Sequence, residues 1–199
     1  MTPVEAAKLA ASTAWQCPVA EIVTADLTNR FPWVHRHSLI LVQQRGQCTM
    51  YVAVDRQGKT VLFPKQTDPL ANLEALNGLL KRESVQLPAD TEPKVFAHRT
   101  RTLLLGAGGF VGSSGFWASQ KPNLQHWTLP SPGDGAELFQ RYCRDPEPRQ
   151  SSDEWTLRFS YFNNQGGVES WNLAGDTGRI REATFSLAVP NGTFMFPYC

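Results

Sequence analysis

Two histidines in the run Trp33-Val34-His35-Arg36-His37 are the first side chains whose type and spacing could do chemistry. On an extended backbone both imidazoles fall on one face, about 7 Å apart, a separation that suits two ligands of one metal ion. A third ligand would have to come from Asp26, Cys48, His98 or His126, and no spacing demands it. A half-exposed polar edge after Pro32 accounts for the pair more simply. The expectation is therefore no bound metal.

Cysteine chemistry needs a thiol beside a base and a third group that orients the base. Cys48 sits in a strand pattern, Cys143 at a helix end and Cys199 at the terminus, and none carries a local catalytic signature. Asp153, Glu154, Glu169 and Asp176 could supply paired carboxylates, but turn and strand positions make solvation the default for them. Tryptophans stand at 15, 33, 117, 127, 155 and 171. Trp117, His126 and Trp127 gather near a run of small residues, where aromatics could form a platform for a ligand or peptide. With Trp33, His35 and His37 they make up the candidate binding residues. The competing reading, that large aromatics fill the core, applies to all of them.

That run of small residues is Leu103-Leu104-Leu105-Gly106-Ala107-Gly108-Gly109-Phe110-Val111-Gly112. Over about ten residues it resembles the G-x-x-G-x-x-G fingerprint of the extended short-chain dehydrogenase/reductase family. The resemblance implies a strand, a phosphate-cradling turn, a helix that starts at once, and a bound dinucleotide. The residues after Gly112 do not continue the pattern. Gly115 and Pro122 leave room for at most two helical turns, and a crossover needs more. No acidic residue stands about 20 positions on to hold a ribose hydroxyl, and the family's Tyr-x-x-x-Lys pair is missing. The segment instead reads as a strand, a glycine turn and a second strand near Gly115 to Ala118, with no cofactor.

Composition sets the outer bounds. A chain of 199 residues with 41% hydrophobic content suits one folded domain or two small ones. A net charge of +1 gives no electrostatic case for nucleic acid or an anionic membrane. Lys94 with His98-Arg99-Thr100-Arg101, and Arg179 with Arg181, read as solvated strand faces. No segment approaches the length of a membrane span, and the first residues lack the pattern of a signal peptide. The scattered cysteines, with no C-x-x-C, read as reduced thiols of a cytoplasmic protein. Asn191-Gly192-Thr193 is a formal glycosylation sequon and a better turn.

The elements follow from period and punctuation. Thr2, Pro3 and Glu5 predict a capped helix start, with Val4, Ala7, Ala11 and Trp15 on one face. Strands are predicted over 20–27, 38–44, 48–54 and 59–63, joined by turns too short for crossovers. Asp68-Pro69 predicts a second helix with Leu70, Leu73, Leu76 and Leu80 inward. Val95 to Leu105 and Gln125 to Leu129 read as strands, and 145–153 as a polar, Pro-rich, mobile stretch. Asp134 opens a short helix to about Cys143. A second meander spans 155–162, 168–173 and 179–189, leading into Thr193 to Phe196. The fold class is α+β, antiparallel meanders with helices packed on one face. Its parts would be 1–130 and 131–199, and Gly46 to Gly58 echoes Gly166 to Gly178, either as a duplicated helix-plus-meander unit or as generic hairpin grammar, since Asp and Gly fill such turns for local reasons.

With no coherent catalytic set and no charge bias, the function expected is a non-catalytic binding or assembly module. It would present an edge strand, near 106–118 or at the C-terminus, to a protein partner or a copy of itself. The alternative is a small-molecule enzyme with His98 or His126 as acid/base in a cleft beside Gly106 to Trp127. A third reading is nucleotide binding at the glycines.

Overall fold

The computed structural model describes residues 1–44, 49–87, 92–106, 116–117, 141–142, 145–163 and 167–190. The fold is α+β, built on antiparallel meanders, and it divides into two compact units. The first comprises 1–91 with 99–108, and the second 92–98 with 109–199. The boundary expected at 130/131 lies outside the described residues, as do the strands expected at 125–129 and 193–196.

In the first unit, helix α1 (Pro3–Trp15) begins at a complete capping box. The Thr2 hydroxyl accepts from the Glu5 N–H, and the Glu5 carboxylate accepts from the Thr2 N–H at 2.6 Å. Pro3, whose missing N–H costs nothing at this position, opens the helix. Sheet 1 follows with strands β1 (Ile22–Asp26), β2 (His37–Gln44), β3 (Thr49–Asp55) and β4 (Thr60–Pro64), in that spatial order and all antiparallel. Ala20 and Glu21, expected as strand, belong instead to a 3-10 turn (Val19–Glu21). Ala6, Ala7 and Ala11 of α1 pack on Ile22, Ile40, Val42, Met50, Val52 and Val54. These are alternate residues of each strand, so α1 covers one face. The small alanines let helix and sheet approach closely.

The opposite face carries His37, Leu39, Tyr51, Ala53 and Phe63, brought into line by the strand register. Helix α2 (Leu73–Glu83) meets that face, because its last residue bonds His37. It is preceded by a 3-10 turn (Pro69–Asn72) that Asp68 caps through the Leu70 N–H. Leu76, Leu79 and Leu80 are buried, whereas Leu70, expected inward, is 52% exposed on that turn.

Helix α3 (Pro93–Leu104) corrects the strand expected over 95–105. Phe96, Ala97, Thr100 and Arg101 are buried at the i, i+1, i+4, i+5 spacing of a helix, and every residue from Thr100 to Leu104 is buried. The solvated strand face expected for Arg99 and Arg101 is overturned with it, since Arg101 is 2% exposed. The helix ends at Gly106, whose φ of +57° suits glycine. A Cβ there would lie 1.8 Å from the Pro64 carbonyl oxygen. The Asn72 side chain donates to the carbonyls of Pro64, Leu103 and Leu104, satisfying α3's last acceptors and tying them to the end of β4.

The second unit holds sheet 2: β5 (Phe116–Trp117), β6 (Glu147–Ser151), β7 (Glu154–Phe162), β8 (Val168–Asp176) and β9 (Arg179–Val189). Every pairing is antiparallel. β5 and β6 share one edge of β7, β6 beside its first half and β5 beside its last two residues. Five residues of the stretch expected to be mobile over 145–153 thus form a strand, Glu147–Ser151. Pro148 is tolerated because β6 pairs on one side only among the described residues. One face of the sheet is apolar, with Trp155, Leu157, Phe159, Tyr161, Trp171, Leu173 and Ala183 buried. The first half of α3 lies on it. Phe96 meets Trp155 edge-on at 6.0 Å, and the His98 ring stacks on Tyr161 at 5.8 Å. Trp155 also donates to the Asp176 carbonyl and crosses Gly175, where a Cβ would come within 2.8 Å of its ring.

Candidate functional sites

His35 and His37 do not share a face. Only His37 lies in a strand; His35 stands before the bend at Arg36 and is exposed, and His37 is buried. Both answer to Glu83. Its carboxylate, fully buried at the C-terminus of α2, accepts from the His35 N–H at 2.6 Å, the Arg36 N–H at 2.8 Å and His37 Nδ1 at 2.6 Å. A helix C-terminus is a poor place for a negative charge, and these three donors compensate it. Burial pushes the Glu83 carboxyl up. The His35 N–H, the His37 imidazole and the Arg36 N–H together outweigh it and hold the group below the usual glutamate range. The sequence shows a histidine pair; the partner that organises it lies 46 residues away from His37 and carries no local signal.

With Nδ1–H committed to Glu83, the free ring position of His37 is Nε2, which is buried and has no hydrogen-bond partner. His37 lines a cavity of about 410 Å³ together with Arg36, Asp55, Arg56, Gln57 and Arg82. Arg36 reaches back to donate to the Arg82 carbonyl at 3.1 Å. Asp55 holds the β3–β4 turn, accepting from the N–H groups of Gln57 and Lys59. The Lys59 N–H leads in lowering its carboxyl from the usual value.

Trp33 is 4% exposed and packs edge-on against Phe31 at 5.9 Å. Phe31 in turn meets Tyr51 and lies under the Arg99 guanidinium. Trp33 therefore belongs to a buried aromatic cluster, not to a surface platform. Trp117 forms part of β5, paired with Tyr161. His126 and Trp127 lie outside the described residues, as do Cys48, Cys143 and Cys199. Cys17 is a free thiol. His98 is half-buried beneath its stack with Tyr161. Among the described residues no three His, Cys, Asp or Glu side chains gather as a metal site, and no helix is long and apolar enough to cross a membrane.

The glycine segment departs from the dinucleotide fingerprint in a second way. The fingerprint needs a strand leading into its glycines, and here the three leucines end on or just past a helix, with Gly106 closing it. Glu169, read as a solvated carboxylate, is 5% exposed and accepts from Trp171 Nε1 at 2.7 Å. Asp176 does serve a turn. It accepts from the Gly178 and Arg179 N–H groups and from Arg181, and the Gly178 N–H leads in holding its carboxyl below the usual value.

Sheet 2 presents a different kind of site. Phe159, Trp171 and Phe185 stack across β7, β8 and β9 at 5.9 and 4.7 Å. The row starts buried and ends at Phe185, which is 36% exposed. Leu187, two residues on along the same face, is 47% exposed. Among the described residues β9 pairs only with β8. Charges guard its first part, Arg179, Arg181 and Glu182; residues 183–189 carry none.

Comparison with protein-family models, curated proteins and solved structures finds no match to this chain.

Proposed function

We propose that this chain is an assembly module, and that two copies associate by antiparallel pairing of β9 with β9. The observation that carries the reading is the exposed Phe185–Leu187 pair on a strand whose outer edge has no partner among the described residues. Long uncharged edges of high β-propensity are what natural sheets usually blunt with charge or proline. Residues 183–189 have neither. A two-fold axis at Ser186 sets Phe185 of one copy opposite Leu187 of the other. The aromatic row then continues across the interface, and both exposed side chains lose water contact.

Sedimentation and light scattering over a concentration series test this. The expected result is a dimer, converted to monomer by the double substitution Phe185→Lys and Leu187→Lys with circular dichroism unchanged. A wild-type chain that stays monomeric up to its solubility limit overturns the reading. So does a lysine variant that dimerises as well as wild type.

A further inference from the structure

The cavity that His37 lines offers a second and independent site. We infer that it binds a small polar phosphomonoester, with Arg36, Arg56, Arg82 and His37 Nε2 as the donors. Three arginines from three separate segments line it: Arg36 from the bend before β2, Arg56 from the β3–β4 turn and Arg82 from the last turn of α2. Among the described residues none of the three is in an ion pair. One carboxylate, Asp55, faces them, and its Oδ1 already serves two turn amides. The Glu83 charge is taken up by three donors of its own. The cavity is therefore left cationic, with forked donors of the kind that match phosphate oxygens.

His37 supplies the observation that is independent of the arginines. Its side chain is 3% exposed and Nε2 has no partner, which is costly unless a ligand completes it. Glu83 orients the ring by accepting from Nδ1–H, and as the imidazolium His37 donates from Nε2–H as well, so the Glu83–His37 ion pair presents the far nitrogen to an anion. A phosphate dianion has enough oxygens for several guanidiniums and one imidazole N–H together; a carboxylate has two. The volume of about 410 Å³ exceeds what phosphate alone fills, and no aromatic side chain other than the imidazole lines it. The remainder of the ligand is thus small and polar.

Calorimetric titration of the full chain with glycerol 3-phosphate is the test, with inorganic phosphate, glycerol and glutarate as comparison probes. Saturable binding of glycerol 3-phosphate is expected, with a shift of the His37 Nε2 resonance that a purely structural histidine would not show. Arg56→Gln and Arg82→Gln, both on exposed side chains, should each weaken binding about tenfold or more. Arg149→Gln, on β6, should leave it unchanged. Absence of saturable binding overturns the inference. So does glutarate binding as tightly as glycerol 3-phosphate, inorganic phosphate binding tighter than the ester, or full affinity in both cavity variants.

Discussion

Sheet 1 and sheet 2 are both antiparallel meanders of similar width, yet they finish their surfaces differently. Sheet 1 has α1 on one face and α2 on the other, and a single buried carboxylate bolts α2 to the start of β2. Sheet 2 has one apolar face, a stacked aromatic row across it, and an edge strand whose second half is uncharged. Their aspartate turns resemble each other in chemistry and differ in length. Asp55 caps a four-residue connection to Thr60, and Asp176 a two-residue one to Arg179. Aspartate and glycine recur there for local reasons, which is enough to produce the echo read in the sequence. Similar strand grammar thus coexists with two ways of finishing a sheet: a second helix tied down by a buried carboxylate in the first unit, and a stacked aromatic row that runs out to an uncharged edge in the second.

Removing each unit's central group should give the largest effects and should keep them apart. Glu83→Ala leaves a buried imidazole N–H and two part-buried backbone N–H groups without their acceptor, and is expected to cost the first unit about 3 kcal/mol. Trp171→Ala opens a cavity between Phe159 and Phe185 and should cost the second unit a similar ~3–5 kcal/mol. Hydrogen exchange read separately on β2–β3 and β7–β8 amides checks both. Equal loss of protection in both sheets for either variant would erase the distinction. Gly106→Ala comes next. A positive φ and a Cβ driven against the Pro64 carbonyl should cost about 2–3 kcal/mol, seen as a lowered denaturation midpoint.

Acid sharpens the contrast. The Glu83 carboxyl is lowered in the folded chain, so its contribution is present above the unfolded-state value and is lost as pH falls through the folded one. Sheet 1 protection should decline across that window in wild type, and Glu83→Gln should flatten the decline while lowering the plateau. A variant whose acid response matches wild type would move the titrating group elsewhere. A smaller effect, about 1 kcal/mol, is expected for Thr2→Ala, which removes the α1 cap. Leu187→Lys alone, at a side chain 47% exposed and outside the aromatic stack, should change unfolding free energy least, by about 0.5 kcal/mol, while weakening dimerisation.

The elements legible in the sequence were those whose signals are local. The Thr2–Glu5 capping box, the Asp68-Pro69 start and the turn at Gly58 each declare themselves within four residues. α3 was not legible because its buried stripe contains Thr100, Arg101 and Thr102, which break the apolar period, and because threonine favours strands. Pro93, standing at the first helical position, was the signal that could have found it. The site around His37 was half legible. The histidines show in sequence, and so does their alternation, but a bend places His35 and His37 on different sides. Glu83 and the three arginines come together only through the pairing of distant segments, which no window of residues records.

One further consequence concerns how this chain can be taken apart. The helix from Pro93 to Leu104 belongs to the second unit up to His98 and to the first unit from Arg99 onward. No single cut of the polypeptide separates them. A fragment ending at Thr91 loses the carbonyls of Leu103 and Leu104 that Asn72 holds, and one beginning at Arg99 loses the Phe96 ring set against Trp155. Dissection of either half by truncation would therefore injure both, and only point substitution leaves each intact for study.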